Sequence, residues 1–201
     1  MASLVDSLMN ELDSRGAVDQ IAGKLGLPPG QASSAVSAAV PAILAGLASN
    51  AQKPEGAAAL SGALERDHDG SVLNDDSYFD SYEERKGDKI LGHVFGEKEP
   101  AVESQVSSLA GLSGAQGADL MKMLAPLIMG YLGKQKSSGS LDLSSLTQVL
   151  AGGGGGLNLP GGLGDLIGGL SGGGSAPASS GGAQKQSSGL GGILGKIFGR
   201  K

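Results

Sequence analysis

Twenty-seven residues beginning at Ile21, IAGKLGLPPGQASSAVSAAVPAILAGL, return in pattern at Val106 as VSSLAGLSGAQGADLMKMLAPLIMGYL, displaced by 85 positions throughout. Gly26 and Leu27 fall on Gly111 and Leu112, and Gln31 falls on Gln116. Pro41, Ile43 and Leu47 fall on Pro126, Ile128 and Leu132. A Gly-Leu turn followed by an amphipathic helix with a proline at a fixed depth is a whole structural unit. Two such units can bury their apolar faces against each other, which neither can do alone. The competing explanation is chance likeness between helix-turn-helix phrases, and the matched glycine and proline weigh against it.

The rest of the first 135 or so residues also reads as helix. Leu4, Val5, Leu8, Met9 and Leu12 recur at helical spacing, and Gly16 can end that helix in a left-handed turn. Val18, Ile21, Ala22 and Leu25 mark a second helix, closed by Gly26, and Pro28–Pro29 set the start of a third. Pro41 lacks a backbone donor, so a kink or break is expected there. A further Ala-rich helix is expected over Gly56–Leu64, and Ser140–Gly152 reads as one more short helix with Leu143, Leu146 and Leu150 on one side. No segment alternates with the two-residue period of a strand.

Composition narrows the function classes. Cysteine is absent, which removes disulfides, thiolate metal sites and a cysteine nucleophile. Aromatic residues make up 3% of the chain, so the core is expected to be aliphatic. The first residues carry acids and no basic start before an apolar run, unlike a secretory signal. The longest weakly polar run, Ala35–Ala48, has the length of a buried helix rather than a membrane span. These features point to a cytoplasmic location. The formal net charge is −5. Its distribution is uneven: residues 1–136 hold 18 acids and 11 bases, whereas residues 137–201 hold 2 acids and 4 bases. An acidic body repels phosphate backbones, and only the tail attracts an anionic surface.

The tail changes character, since 21 of the 37 glycines lie in residues 137–201. Residues 151–201 read as a flexible Gly/Ser-rich segment, disordered when free, interrupted by apolar islands at 163–170 and 190–201. The second island contains ILGKIFG, Ile193–Gly199, a near copy of ILGHVFG at Ile90–Gly96 in the body. As a helix, Leu190, Ile193, Leu194, Ile197 and Phe198 form one stripe, with Lys196, Arg200 and Lys201 adding charge near its C-terminal end. Burying five such side chains returns on the order of 10 kcal/mol. Ordering the segment costs ~1–2 kcal/mol per residue, an amount of similar size. The island therefore needs an apolar host before it folds. A membrane with anionic lipids, a partner's groove, and a groove on this chain or a sister copy are the three candidates. If ILGHVFG packs into a pocket of the body, ILGKIFG has the shape to compete for it. Composition drift in a glycine-rich tail is the alternative origin of the repeated phrase.

The most distinctive polar stretch is LERDHDGSVLNDD, Leu64–Asp76. Counted as a calcium loop, Glu65, Asp67 and Asp69 take positions 1, 3 and 5, Gly70 takes the turn, and Asp76 takes position 12. Glu at the first position and Asp at the last depart from that pattern. A sharp Asp-Gly turn braced by Asp side chains accounts for the same residues. His68 and His93 are the only histidines, and no sequence signal brings them together; His93 is expected to be partly buried and hydrogen-bonded. A metal site needs at least three converging ligands, so none is assigned. No nucleophile elbow or phosphate loop occurs, and no cofactor is implied, which points away from an enzyme. The segment from Gln31 to Ala39 has the cadence of a recognition helix but offers no cation for phosphates, so nucleic acid is not an expected partner.

Four phrases, LGLPPGQASSAVSAAVPAILAGLA, LERDHDGSVLND, GDKILGHVFGEKEP and LAGLSGAQGADLMKMLAPLIMGYLGKQ, resemble in order the bacterial domain-of-unknown-function family 937, itself distantly similar to the YidB-like proteins. The resemblance covers roughly residues 1–150 and implies an all-α bacterial domain with a Gly/Leu-rich tail. It implies no activity. DSYFDSYEERKGD, Asp76–Asp88, departs from the pattern, and Tyr78, Phe79 and Tyr82 there form either an exposed recognition patch or a cluster packed on the body. The expectation is thus an all-α, compact helical domain over residues 1–150 built from two related helix-turn-helix units, with the tail of 151–201 appended. The expected function is non-enzymatic: an interaction or assembly protein whose tail docks on itself, a protein partner or a membrane surface. The alternative is a ligand- or calcium-responsive module using the acidic loop 65–76, with Asp67, His68, Asp69 and Gly70 as its candidate residues.

Overall fold

The two Gly-Leu turns of the repeat are the same turn. In the computed structural model, which describes residues 4–139 apart from Asp76, Ser81, Glu83 and the side chains of Glu84 and Arg85, Gly26 has φ 64° and ψ 36°, and Gly111 has φ 63° and ψ 35°. This left-handed conformation costs glycine nothing and an L side chain about 1–2 kcal/mol. The next residue closes each turn identically. Leu27 N–H donates to Ala22 O at 2.8 Å, and Leu112 N–H donates to Ser107 O at 2.8 Å.

Seven α-helices occur among the described residues: α1 Leu4–Ser14, α2 Ala17–Leu25, α3 Pro29–Ala51, α4 Pro54–Arg66, α5 Glu84–Phe95, α6 Glu99–Ala110 and α7 Gly114–Ser137. Short 3₁₀ turns lie at Ser71–Asn74 and Gly96–Lys98, and the described residues contain no strand. The fold is all-α. The units are α2–α3 and α6–α7, joined by α4, the acidic loop and α5.

α3 and α7 pack on each other, and each also packs on the short helix of the other unit. One polar pair makes this exchange explicit. Gln31 Nε2 donates to Gly111 O at 2.8 Å and approaches Ala110 O at 3.4 Å. Its counterpart Gln116 donates to Leu25 O at 3.1 Å. Leu25 and Ala110 are themselves counterparts in the repeat, so each unit's third helical residue reaches the other unit's turn. Such reciprocity is the mark of a twofold relation, here within a single chain.

The core is mainly aliphatic, as the composition requires, with Tyr78, Phe79, Phe95 and Tyr131 buried in it. Ile21, Val36, Ile43, Leu44, Leu120, Leu124 and Ile128 are fully buried. Of the kink or break expected at Pro41, the break does not occur, and α3 runs on to Ala51. One lost hydrogen bond is outweighed by the burial of apolar residues on both sides of the proline. α3 is long and apolar enough to cross a membrane by length and composition, yet 78% of its most apolar window is buried inside the body. In α7, Pro126 removes the helical donor for the carbonyl of Lys122. Gly87 of α5 packs there, where a Cβ would stand 2.1 Å from that oxygen. The helices expected over Gly56–Leu64 and Leu4–Leu12 are present within α4 and α1. The short helix expected over Ser140–Gly152 lies outside the described residues.

Candidate functional site

α5 has two faces, and the difference between them creates the candidate site. Gly87, Leu91, Val94 and Phe95 recur at helical spacing and are buried on α7 and α3. Val94 and Phe95 close on Gly46 of α3, where a Cβ would meet their side chains at 2.5 Å. The phrase ILGHVFG is therefore packed into the body, as its apolar content suggests. Lys86, Lys89, Ile90 and His93 recur at the same spacing on the other face and line an open groove of about 1140 Å³.

The groove runs between α4 and α5. α4 contributes Leu60 and Ala63 as one wall, α5 contributes Ile90 as the other, and Leu47, Pro126 and Met129 form the floor. At one end Asn50 closes it, donating to His93 O at 2.9 Å and to Val94 O at 2.8 Å. Asp67, His68, Asp75 and Tyr82 border the other end. Apolar floor and polar rim together suit an amphipathic occupant.

Both histidines line this groove, a meeting that no sequence signal announced. His68 is half-buried, and that burial holds its pKa below the ordinary histidine value, against the opposing pull of Asp67. His93, expected to be partly buried, is instead exposed, because it lies on the groove face of α5; its Nδ1 does hydrogen-bond, to Lys89 O at 2.7 Å.

The acidic loop is built around α7. Gly70 has φ 97° and is buried against α7, where a Cβ would meet that of Lys134 at 2.9 Å. Asp69 accepts from Ser71 N–H at 2.9 Å, which bends the loop, and hydrogen bonding to the Ser71 side chain and backbone lowers the Asp69 pKa. Glu65 pairs with Lys136 at 2.7 Å. Of the loop residues singled out, Asp67 and His68 face the groove, whereas Asp69 and Gly70 do not line it. Among the described residues no three His, Asp or Glu side chains converge to hold a metal. Asp76, the last position of the counted calcium loop, lies outside the described residues.

The aromatic cluster packs on the body rather than standing exposed. Tyr78 and Phe79 are buried, their rings meet edge to face at 4.9 Å, and Tyr82 is half-buried with its ring 6.0 Å from that of Tyr78. Tyr78 Oη donates to Met123 O at 2.9 Å, beside the irregularity that Pro126 creates in α7. Burial pushes the Tyr78 phenol well above its ordinary pKa. The tail residues Leu190, Ile193, Leu194, Lys196, Ile197 and Phe198 lie outside the described residues. Sequence reading missed the groove face of α5, although Lys86, Lys89, Ile90 and His93 follow helical spacing.

The family model of bacterial proteins of unknown function designated domain-of-unknown-function family 937 matches residues 6–135. The chain belongs to this family. No curated protein and no solved structure matches it. The groove lies within the family-937 span, and both apolar islands of the tail fall beyond it.

Proposed function

We propose that this family-937 protein is a non-enzymatic interaction or assembly module of the cytoplasm, whose terminal segment Leu190–Lys201 docks on an apolar host. One observation carries the reading. In α5 the repeated phrase already forms a helix whose inward stripe is Leu91, Val94 and Phe95. Leu194, Ile197 and Phe198 repeat that stripe position for position. A helix with this stripe gains stability only against apolar surface. Displacing α5 from its own slot would expose those three side chains at about 1.5–3 kcal/mol each. An open surface is thus a better host than the slot α5 fills. The acidic body disfavours nucleic acid as partner. Light scattering of the full chain and of a chain lacking residues 190–201, with and without anionic vesicles, tests the reading. The deletion is expected to change self-association, vesicle binding or the stability of the body. Identical behaviour of the two chains in all three would refute it.

A further inference from the structure

We infer that the groove between α4 and α5 is the host of the chain's own segment Leu190–Lys201, bound as a helix in cis; the assignment rests on the docking reading above and names its site. Three observations converge on it.

The first is fit. The floor of the groove, Leu47, Pro126 and Met129, belongs to α3 and α7, the pair on which the body's copy of the phrase is packed. The groove offers a second strip of the same surface, beside the first. Its wall on α4 runs from Gly56 to Asp67, about 18 Å at 1.5 Å per residue. Leu190–Lys201 spans about the same length as a helix. A helix laid there turns a two-walled trough into a closed helical layer.

The second is reach. The described chain leaves α7 at Gly139, where Lys136 is bonded to Ser61 and Glu65 of α4, one wall of the groove. Residues 140–189 then separate this exit from the segment. With Ser140–Gly152 set aside as the expected helix, a freely coiled Gly/Ser-rich connection of the length of residues 153–189 would have an end-to-end distance of about 30–36 Å. That distance exceeds the span of the groove and gives an effective concentration in the mM range. The tether therefore favours cis binding over capture by a second copy at dilute concentration.

The third is charge. Asp67 and Asp75 face Lys86 at one end of the groove, Lys89 lines it farther along α5, and α4 directs its negative C-terminal end, with Arg66 in its last turn, toward the two aspartates. The segment concentrates Lys196, Arg200 and Lys201 at its own end. The bound helix therefore runs parallel to α4, with its cationic end at Asp67 and Leu190 near Asn50.

The absence of cysteine permits a clean test. Gly195→Cys is combined with Ala63→Cys in the groove, and separately with Asn10→Cys on α1, an exposed position away from it. Oxidation is followed at micromolar protein on non-reducing gels. The groove pair is expected to close at least tenfold faster than the α1 pair, giving cross-linked monomer, and Phe198→Ala is expected to abolish the difference. Ala59→Cys, an exposed groove position, replaces Ala63→Cys if that variant fails to fold. Equal closing rates for the groove pair and the α1 pair, or a product that is only cross-linked dimer, would overturn the assignment. Either result would leave the tail-deletion outcome in scattering and vesicle binding untouched, so failure of the site and failure of the docking reading are distinguishable.

Discussion

Replacing Gly133 by alanine should destabilise the body, although alanine is the better helix former. Gly133 lies in the last turns of α7, and a Cβ there would stand 1.6 Å from His68 O and 3.2 Å from Leu64 O. Both contacts are backbone, so no flexible side-chain tip can swing away. The end of α4 must instead shift by more than about 1 Å, dragging His68 and the rim of the groove. Overpacking of this kind costs typically ~1–3 kcal/mol, and a backbone obstacle places it at the upper end. The intrinsic helix gain of alanine over glycine returns only ~1 kcal/mol. The net loss is about 2 kcal/mol. At roughly 3–5 °C per kcal/mol for a body of this size, Tm falls by about 6–10 °C. Gly23→Ala in α2 is the matched control, since nothing lies within 4 Å of its Cβ. There the propensity acts alone, and stability should rise by up to ~1 kcal/mol. Urea unfolding followed by far-UV circular dichroism measures both. NMR titration of His68 adds a local readout: its depressed pKa should move back toward the ordinary value in Gly133→Ala. If Gly133→Ala is as stable as the parent, or shifts in the same direction as Gly23→Ala, the packing of α7 against the end of α4 is wrong.

Further predictions concern the repeat and the titratable groups. Gln31→Ala removes the contact with the second unit's turn and should cost about 1 kcal/mol. Gln116→Ala should cost about 2 kcal/mol, because Gln116 also completes the capping box with Ser113; equal losses in urea unfolding would contradict this asymmetry. His68 binds its proton less readily in the folded state, so stability should decline as pH falls below about 6.5 toward its lower folded pKa. That segment of the pH–stability curve should flatten in His68→Gln, and an unchanged slope would rule the group out. Burial raises the Glu103 carboxyl, against the pull of Lys122, so its ionised form opposes folding above the ordinary Glu range. Glu103→Gln should therefore stabilise the body at pH 7 and lose that advantage below about pH 4.5, as thermal melts at the two pH values would reveal.

The repeat was legible because its key residues are constrained by the backbone rather than by distant neighbours. A left-handed turn selects glycine at Gly26 and Gly111, and helical spacing fixes the apolar faces that follow. Gln31 and Gln116 aligned in sequence, yet their reach across the two units depends on contacts 79 to 91 residues apart, which leave no local pattern. The same reason hides the groove. Ile90 and His93 belong to a phrase that is apolar apart from its histidine, and only the placement of α4 beside α5 separates an inner face from an outer one. The close approach of Gly70 to α7 in the acidic loop likewise depends on residues 60 or more positions away and leaves no local pattern. The aromatic cluster was ambiguous because burial of Tyr78 depends on an acceptor, Met123 O, on a helix 45 residues away.

The mutual covering of α3 and α7 has a consequence for synthesis. On the ribosome α3 is complete at Ala51, and α7, which covers it together with α2, α4 and α6, is not finished until Ser137, 86 residues later. At about 5–20 residues per second that interval lasts roughly 4–17 s. During it α3, an apolar helix of membrane-spanning length near the N-terminus, lacks the cover that α7 supplies. A factor that screens emerging chains for apolar helices would therefore meet α3 while it is only partly covered.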